Sequence, residues 1–116
     1  MGEPVKPSPD ILRGTLDLLI LKALSCGPAH GYSVAKWLEA ATNDALALGE
    51  GTLYPALHRL EERGWVTSSW GSSENNRQAK FYTLTRRGRR QLDVETAKWR
   101  VYAGAVFAAL DVSAKP

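Results

Sequence analysis

The last quarter of the chain constrains the fold most. Leu92, Trp99 and Val106 recur every seven residues, and Thr96, Ala103 and Leu110 follow each by four. That spacing draws one stripe along a helix; Tyr102 and Phe107 widen it. The periodicity predicts a helix from about residue 86 to 110, about six to seven turns long. Thr85 is a suitable N-cap. One helix at the end of a small domain cannot hide such a stripe alone. It must pack on an earlier helix, on a second copy of the chain, or on both. The stripe favours a second copy, with Leu92, Trp99, Tyr102, Val106 and Leu110 at the contact.

The 116 residues suffice for one domain, since domains run to about 100–200 residues. With 44% hydrophobic and 23% charged residues, a packed core is expected rather than wholesale disorder. The single cysteine, Cys26, excludes an intramolecular disulfide and a cluster of cysteine zinc ligands. The run LDLLILKAL is interrupted by Asp17 and Lys22 and falls far short of the roughly 20 residues that span a membrane. The opening MGEPVKPSPD has no apolar stretch of the secretory kind. These features lead to the expectation of a soluble, cytoplasmic protein with no membrane partner.

Residues 1–10 hold three of the six prolines and no apolar period, so they read as a flexible arm. Leu16, Leu19, Ile20, Ala23 and Leu24 then mark an amphipathic helix, with Thr15 or Asp10 as its cap and Gly27-Pro28 as its end. A second helix is expected over about 31–42, with Tyr32, Ala35 and Leu38 inward and Trp37 beside them. Asn43-Asp44 breaks it, and residues 45–48 suit a short strand. Leu53, Ala56, Leu57 and Leu60 form the apolar face of a third helix. Pro55 is tolerated if it lies in the first turn, where its missing amide has no partner anyway, which puts the start at about 50–54. Gly64 is the stop. WVTSSW and KFYTLT then read as two strands around the polar loop GSSENNRQA.

The order is helix, helix, short strand, helix, hairpin, long helix. It matches a winged helix-turn-helix, a mainly α fold with a small β-hairpin, here followed by a long C-terminal dimerisation helix. The expected divisions are 1–10 for the arm, 11–85 for the winged helix-turn-helix and 86–112 for the dimerisation helix. Charge agrees with this reading. Residues 77–100 hold eight basic side chains against Asp93 and Glu95, a net +6, whereas the whole chain is +3. Such asymmetry marks a surface that faces an anion.

The strings LRGTLDLLILKAL, GPAHGY, GTLYPALHRLEERGWV and SENNRQAKFYTLTRRGRRQL resemble the PadR family of transcriptional regulators. The resemblance covers about residues 11–110, and the single final helix resembles the shorter subgroup. It implies a bacterial, homodimeric repressor that binds double-stranded DNA, with the C-terminal helix making the dimer. It also raises a small hydrophobic or phenolic effector between the two copies, beside Trp37 or Trp99.

In that frame Tyr32 is either a core tyrosine or, with the helix N-terminus, a phosphate ligand. His30 is either a turn residue or a second such ligand. Gly51, Tyr54, Pro55, His58, Arg59 and Glu62 lie broadly opposite the apolar face of the third helix, with Thr52 at the margin. Thr52, Tyr54 and His58 are candidate groove contacts, and Arg59 can offer two donors to guanine. Arg77 and Lys80 read as wing contacts to phosphate or minor groove. Arg86 belongs to RRGRR, whose four arginines oppose the helix dipole at a helix start, a cost that an external anion would explain. Catalysis has little support. His30 and His58 lack ligand-spaced partners, Cys26 reads as a buried inert thiol, and no cofactor motif is present. Two alternatives stay open: a winged-helix module for protein–protein docking, and a small-ligand carrier.

Overall fold

The computed structural model describes the backbone of residues 9–113 and side chains from Thr15 to Ser113. Residues 1–8 of the expected arm lie outside the described residues. The elements are α1 (Pro9–Leu24), β1 (Ala29–His30), α2 (Gly31–Ala41), α3 (Glu50–Glu62), β2 (Val66–Ser72), β3 (Gln78–Leu84) and α4 (Arg86–Leu110). They form a winged helix-turn-helix with a long C-terminal helix.

Helix α1 packs on α2, α3, α4 and β3. Burial on several sides explains why Leu21 is as buried as Leu16, Ile20, Ala23 and Leu24, while Leu19 is only half-buried. The described part of α1 already includes Pro9 and Asp10 of the expected arm, so both expected caps, Asp10 and Thr15, lie inside the helix. Cys26 is exposed, not buried. It follows the last apolar residue of the stripe and sits in the turn that Gly27 (φ +139) closes.

The inward stripe of α2 is Gly31, Val34 and Leu38. Tyr32, expected inside, is 65% exposed. The helix starts at Gly31, and spacings of three and four from there select Val34 and Leu38.

The short strand falls before α2 rather than after it. Ala29 pairs with Tyr82 and His30 with Phe81, which gives a three-stranded antiparallel sheet of order β1-β3-β2. His30 is extended (φ −85°, ψ 166°) because it is the N-cap of α2, and that same extension lets it pair. Residues 45–48 form no strand. Asn43 and Asp44 adopt left-handed backbone (φ 51° and 64°) immediately before them, a conformation foreign to an extended strand. Thr42 Oγ1 then accepts from the Leu46 amide at 3.1 Å.

In α3, Leu53, Ala56, Leu57 and Leu60 are buried, as expected. Pro55 occupies the second turn, not the first, since the helix begins at Glu50. It therefore removes the donor that the Gly51 carbonyl would have had. Gly51 is exposed, so water can take that place. The strands of the hairpin run further than expected. Pairing continues to Gly71↔Ala79 and Ser72↔Gln78, leaving a five-residue turn over 73–77. Asn76 (φ 58) supplies its left-handed residue, and the Ser73 amide donates to the Arg77 carbonyl at 2.8 Å.

Thr85 caps α4 through Oγ1, which accepts from the Gly88 amide at 2.9 Å. The same hydroxyl lies 2.8 Å from the Gly64 carbonyl and 3.0 Å from that of Trp65. Leu92 is 7% exposed and belongs to the chain's own core, which corrects its assignment to the dimer stripe. Helix α4 contacts α1 and β3 and then runs on beyond them, in a chain that measures 63 × 33 × 22 Å.

Candidate nucleic-acid interface

The site is organised around α3. At about 100° per residue, its buried face leaves an outward ridge of Gly51, Pro55, His58 and Glu62, all exposed. His58 Nε2 stands 3.7 Å from Glu62 Oε2. Each flank of the ridge is tied to a neighbouring element. On one flank, Arg59 Nη2 donates to Asp17 Oδ1 of α1 at 2.9 Å, and Arg63 Nη1 lies 3.6 Å from Asp17 Oδ2. Half-buried Thr52 shares that flank. On the other flank, the Ser68 hydroxyl of β2 donates to Glu61 Oε2, and Lys80 Nζ of β3 lies 3.9 Å from Glu61 Oε1. Tyr54 shares this second flank and is 41% exposed.

Helix α2 meets Tyr54 at its first residue. A Cβ on Gly31 would stand 2.6 Å from the Tyr54 ring, so glycine lets that ring lie across the start of α2. His30 caps the helix: Nδ1 accepts from the Ser33 amide at 3.2 Å, and the Ser33 hydroxyl lies 3.2 Å from Nε2. Its ring packs edge-on against Phe81 at 5.4 Å. These contacts fit its turn reading, and His30 also lies at the groove described next. Tyr32 projects outward with Lys36 Nζ 5.5 Å from its ring centre.

These pieces enclose a groove of about 990 Å³ between the start of α2 and the hairpin. Tyr32, Tyr54, Arg77 and Lys80 line it, together with Lys36 and Trp70. Four of the eight residues expected at DNA thus share one concavity. Thr52, His58, Arg59 and Arg86 are not among its lining. Three cations (Lys36, Arg77 and Lys80) and five aromatic rings (Tyr32, Trp37, Tyr54, Trp70 and Tyr82) share the lining with Glu74, its one acidic residue. Tyr82 closes the floor. Burial pushes its hydroxyl above the ordinary 10.0, and the Glu61 carboxylate and Tyr54 add to the shift.

Arg86, Arg87, Arg89 and Arg90 are all exposed at the start of α4. The glycine between them has a packing reason that composition concealed. A Cβ at Gly88 would meet the Trp65 carbonyl oxygen and the Leu84 side chain, so the close approach of α4 to the hairpin base needs a residue without a side chain there. Arg87 covers Gly64, whose φ of +77 demands glycine.

Trp99 (41% exposed), Tyr102, Val106 and Leu110 remain open on α4. The Trp99 and Tyr102 rings lie 5.7 Å apart. Trp37 is separate from them. It lines the groove and a smaller pocket of about 180 Å³ beside Cys26 and Pro28, both within one chain.

Lys36 and Trp70 line the groove without having been expected there; alternation from apolar Val66 is the one sequence signal that places Trp70 on the inner face. The ties of Asp17 and Glu61 depend on pairings between residues of different elements. Among the described residues no helix is long and apolar enough to cross a membrane.

Comparison with known proteins locates this architecture. The model of the family described as Transcriptional regulator PadR-like matches residues 20–94. Uncharacterized protein X of Lysinibacillus sphaericus is 29% identical, over 78% of this chain and 83% of that protein. Transcriptional regulator YqjI of Escherichia coli is 33% identical over 84% of this chain, which spans 47% of that regulator. The solved structure of a transcriptional regulator from Clostridium thermocellum superposes with a TM-score of 0.77 at 28% identity, covering 85% of this chain and 96% of that one.

Proposed function

The chain belongs to the PadR-like family of transcriptional regulators, and on that premise we propose that it is a homodimeric repressor binding a near-palindromic DNA operator. The observation that carries this reading is the groove between α2 and the hairpin, the wing of the fold. It gathers Tyr32, Tyr54, Arg77 and Lys80 with Lys36 around one path for a phosphate backbone. The α3 ridge stands beside it, suited to a major groove. In this reading Tyr32, Tyr54, Lys36, Arg77, Lys80 and Arg86 hold phosphate, and Thr52, His58 and Arg59 approach bases.

Arg59 is engaged by Asp17 in the free chain. A pair with a half-exposed arginine contributes about 0.2–1 kcal/mol. A bidentate guanine contact discriminates by about 1–3 kcal/mol. DNA can therefore draw Arg59 from Asp17 at small cost. Lys80 is the weaker wing contact, because Glu61 already offsets part of its charge; Arg77 at the turn is exposed.

Two copies joined along the exposed α4 stripe, through Trp99, Tyr102, Val106 and Leu110, present two α3 ridges. Half-sites should then lie about 34–36 Å apart, or a multiple of that. A small hydrophobic or phenolic effector would enter between the copies beside Trp99.

The test is anisotropy on a duplex selected by the protein from a random-sequence pool, and on a random duplex, across a salt series. Arg77→Ala should weaken both duplexes alike and flatten the salt slope by about one unit per protomer. Arg59→Ala should lose affinity for the selected duplex and narrow the ratio between the two. Salt-insensitive binding, or none, would favour a protein-docking module instead.

A further inference from the structure

We propose that Trp70 is a DNA-contacting residue of the wing, its indole packing against the sugar and base surface of duplex DNA seated in the groove. The proposal rests on the DNA-binding reading above and adds an uncharged contact to it.

The strand register places the side chain. Alternate residues of a strand share a face, so Val66, Ser68, Trp70 and Ser72 lie together, opposite Leu84, Tyr82, Lys80 and Gln78 of β3. This face is turned toward the helices. Val66 and Tyr82 are buried at 1% and 5% exposure, and Ser68 reaches Glu61 of α3. Trp70 continues the same inward row yet is 68% exposed. The wing extends past the helices, so a core-facing position near its end has no core to face. A position of that kind is ordinarily polar, as Ser68 and Ser72 are. Here it carries the largest apolar side chain available, directed into the groove.

The surroundings identify the occupant. Lys36, Arg77 and Lys80 line the same groove with Tyr32 and Tyr54. An apolar protein partner would have to desolvate three cations to reach the indole. A sugar–phosphate backbone meets both needs at once, with phosphate oxygens at the cations and the apolar deoxyribose face at the rings. Aromatic residues with a charged rim concentrate binding energy in this way.

The experiment uses the full chain and a duplex selected by the wild type from a random-sequence pool. Binding by wild type, Trp70→Ala and Trp70→Phe is measured across a salt series, with sedimentation and thermal melting on each. Trp70→Ala should raise Kd about tenfold and leave the salt slope unchanged, because an indole displaces no counterion. Trp70→Phe should recover most of the loss. Wild-type affinity in Trp70→Ala, or a slope flattened by about one unit, would overturn the role of Trp70 alone. A changed oligomeric state in Trp70→Ala would assign the indole to a protein interface and overturn it as well. A wild-type chain that binds no duplex in a salt-dependent manner would overturn the DNA reading itself.

Discussion

Two regions of the chain leave aromatic side chains open, and their company differs. In the groove, Tyr32, Tyr54 and Trp70 stand among Lys36, Arg77 and Lys80. On α4, Tyr102, Val106, Phe107 and Leu110 are exposed within the run VYAGAVFAAL over 101–110, which carries no charge, and exposed Trp99 precedes that run between Lys98 and Arg100. Among the described residues, every other exposed large apolar side chain lies at or beyond Val94. Rings set among cations suit a polyanion, whereas an uncharged apolar helix suits another protein surface. Exposure alone does not separate the two regions; neighbouring charge does.

The largest expected effect breaks the α4 side of that contrast. Trp99→Ala combined with Val106→Asp should convert a dimer to a monomer, since each central interface residue is worth about 2–4 kcal/mol. Sedimentation at micromolar concentration reads it, and the groove residues should keep their native environment. A variant that stays dimeric would show that the stripe is not the contact.

The next effect concerns the joint between the two regions. Gly88→Ala puts a methyl against the backbone oxygen of Trp65, which cannot swing aside as a side chain can. It should cost about 3 kcal/mol of stability, at the upper end for overpacking, in a urea titration. Wild-type stability would mean that α4 docks on the body less closely than the Thr85 and Gly88 contacts indicate.

The smallest effect tests the groove floor. Burial raises the Tyr82 hydroxyl above 10.0 in the folded chain. The folded state thus favours the neutral phenol. The stability tied to that group is present below the unfolded value and lost as pH climbs through the folded one. Tyr82→Phe should remove this alkaline loss and leave the neutral range nearly unchanged in thermal melts. Parallel alkaline profiles for both proteins would place the Tyr82 hydroxyl in water.

Most of the elements were legible in the residues. Spacing of apolar side chains marks α1, α3 and α4, Thr85 marks the start of α4, and β-branched and aromatic runs mark the hairpin. These are local properties, set by the period of each element and by capping. Half of the DNA-facing candidates also met in one groove. The misplacements have local causes too. Tyr32 was read inward because its spacing to Ala35 resembles a stripe, and Val34 was passed over. Residues 45–48 have strand-like composition but follow left-handed backbone at Asn43 and Asp44 and form no strand.

A residue's place in the sequence determined its angle about its own helix or strand, and with it the apolar faces, the hairpin alternation and the open stripe of α4. Only the tertiary structure decided what each flank meets. Asp17 reaches Arg59 across 42 positions, Glu61 holds Ser68 and Lys80, and β1 pairs with β3 across more than fifty residues. Such contacts depend on how elements cross, which is set by side-chain volume and by close approach of the Tyr54 ring at Gly31 and of the Trp65 backbone at Gly88. The same crossing leaves Trp70 beyond the reach of the helices, in a row that is otherwise buried or polar.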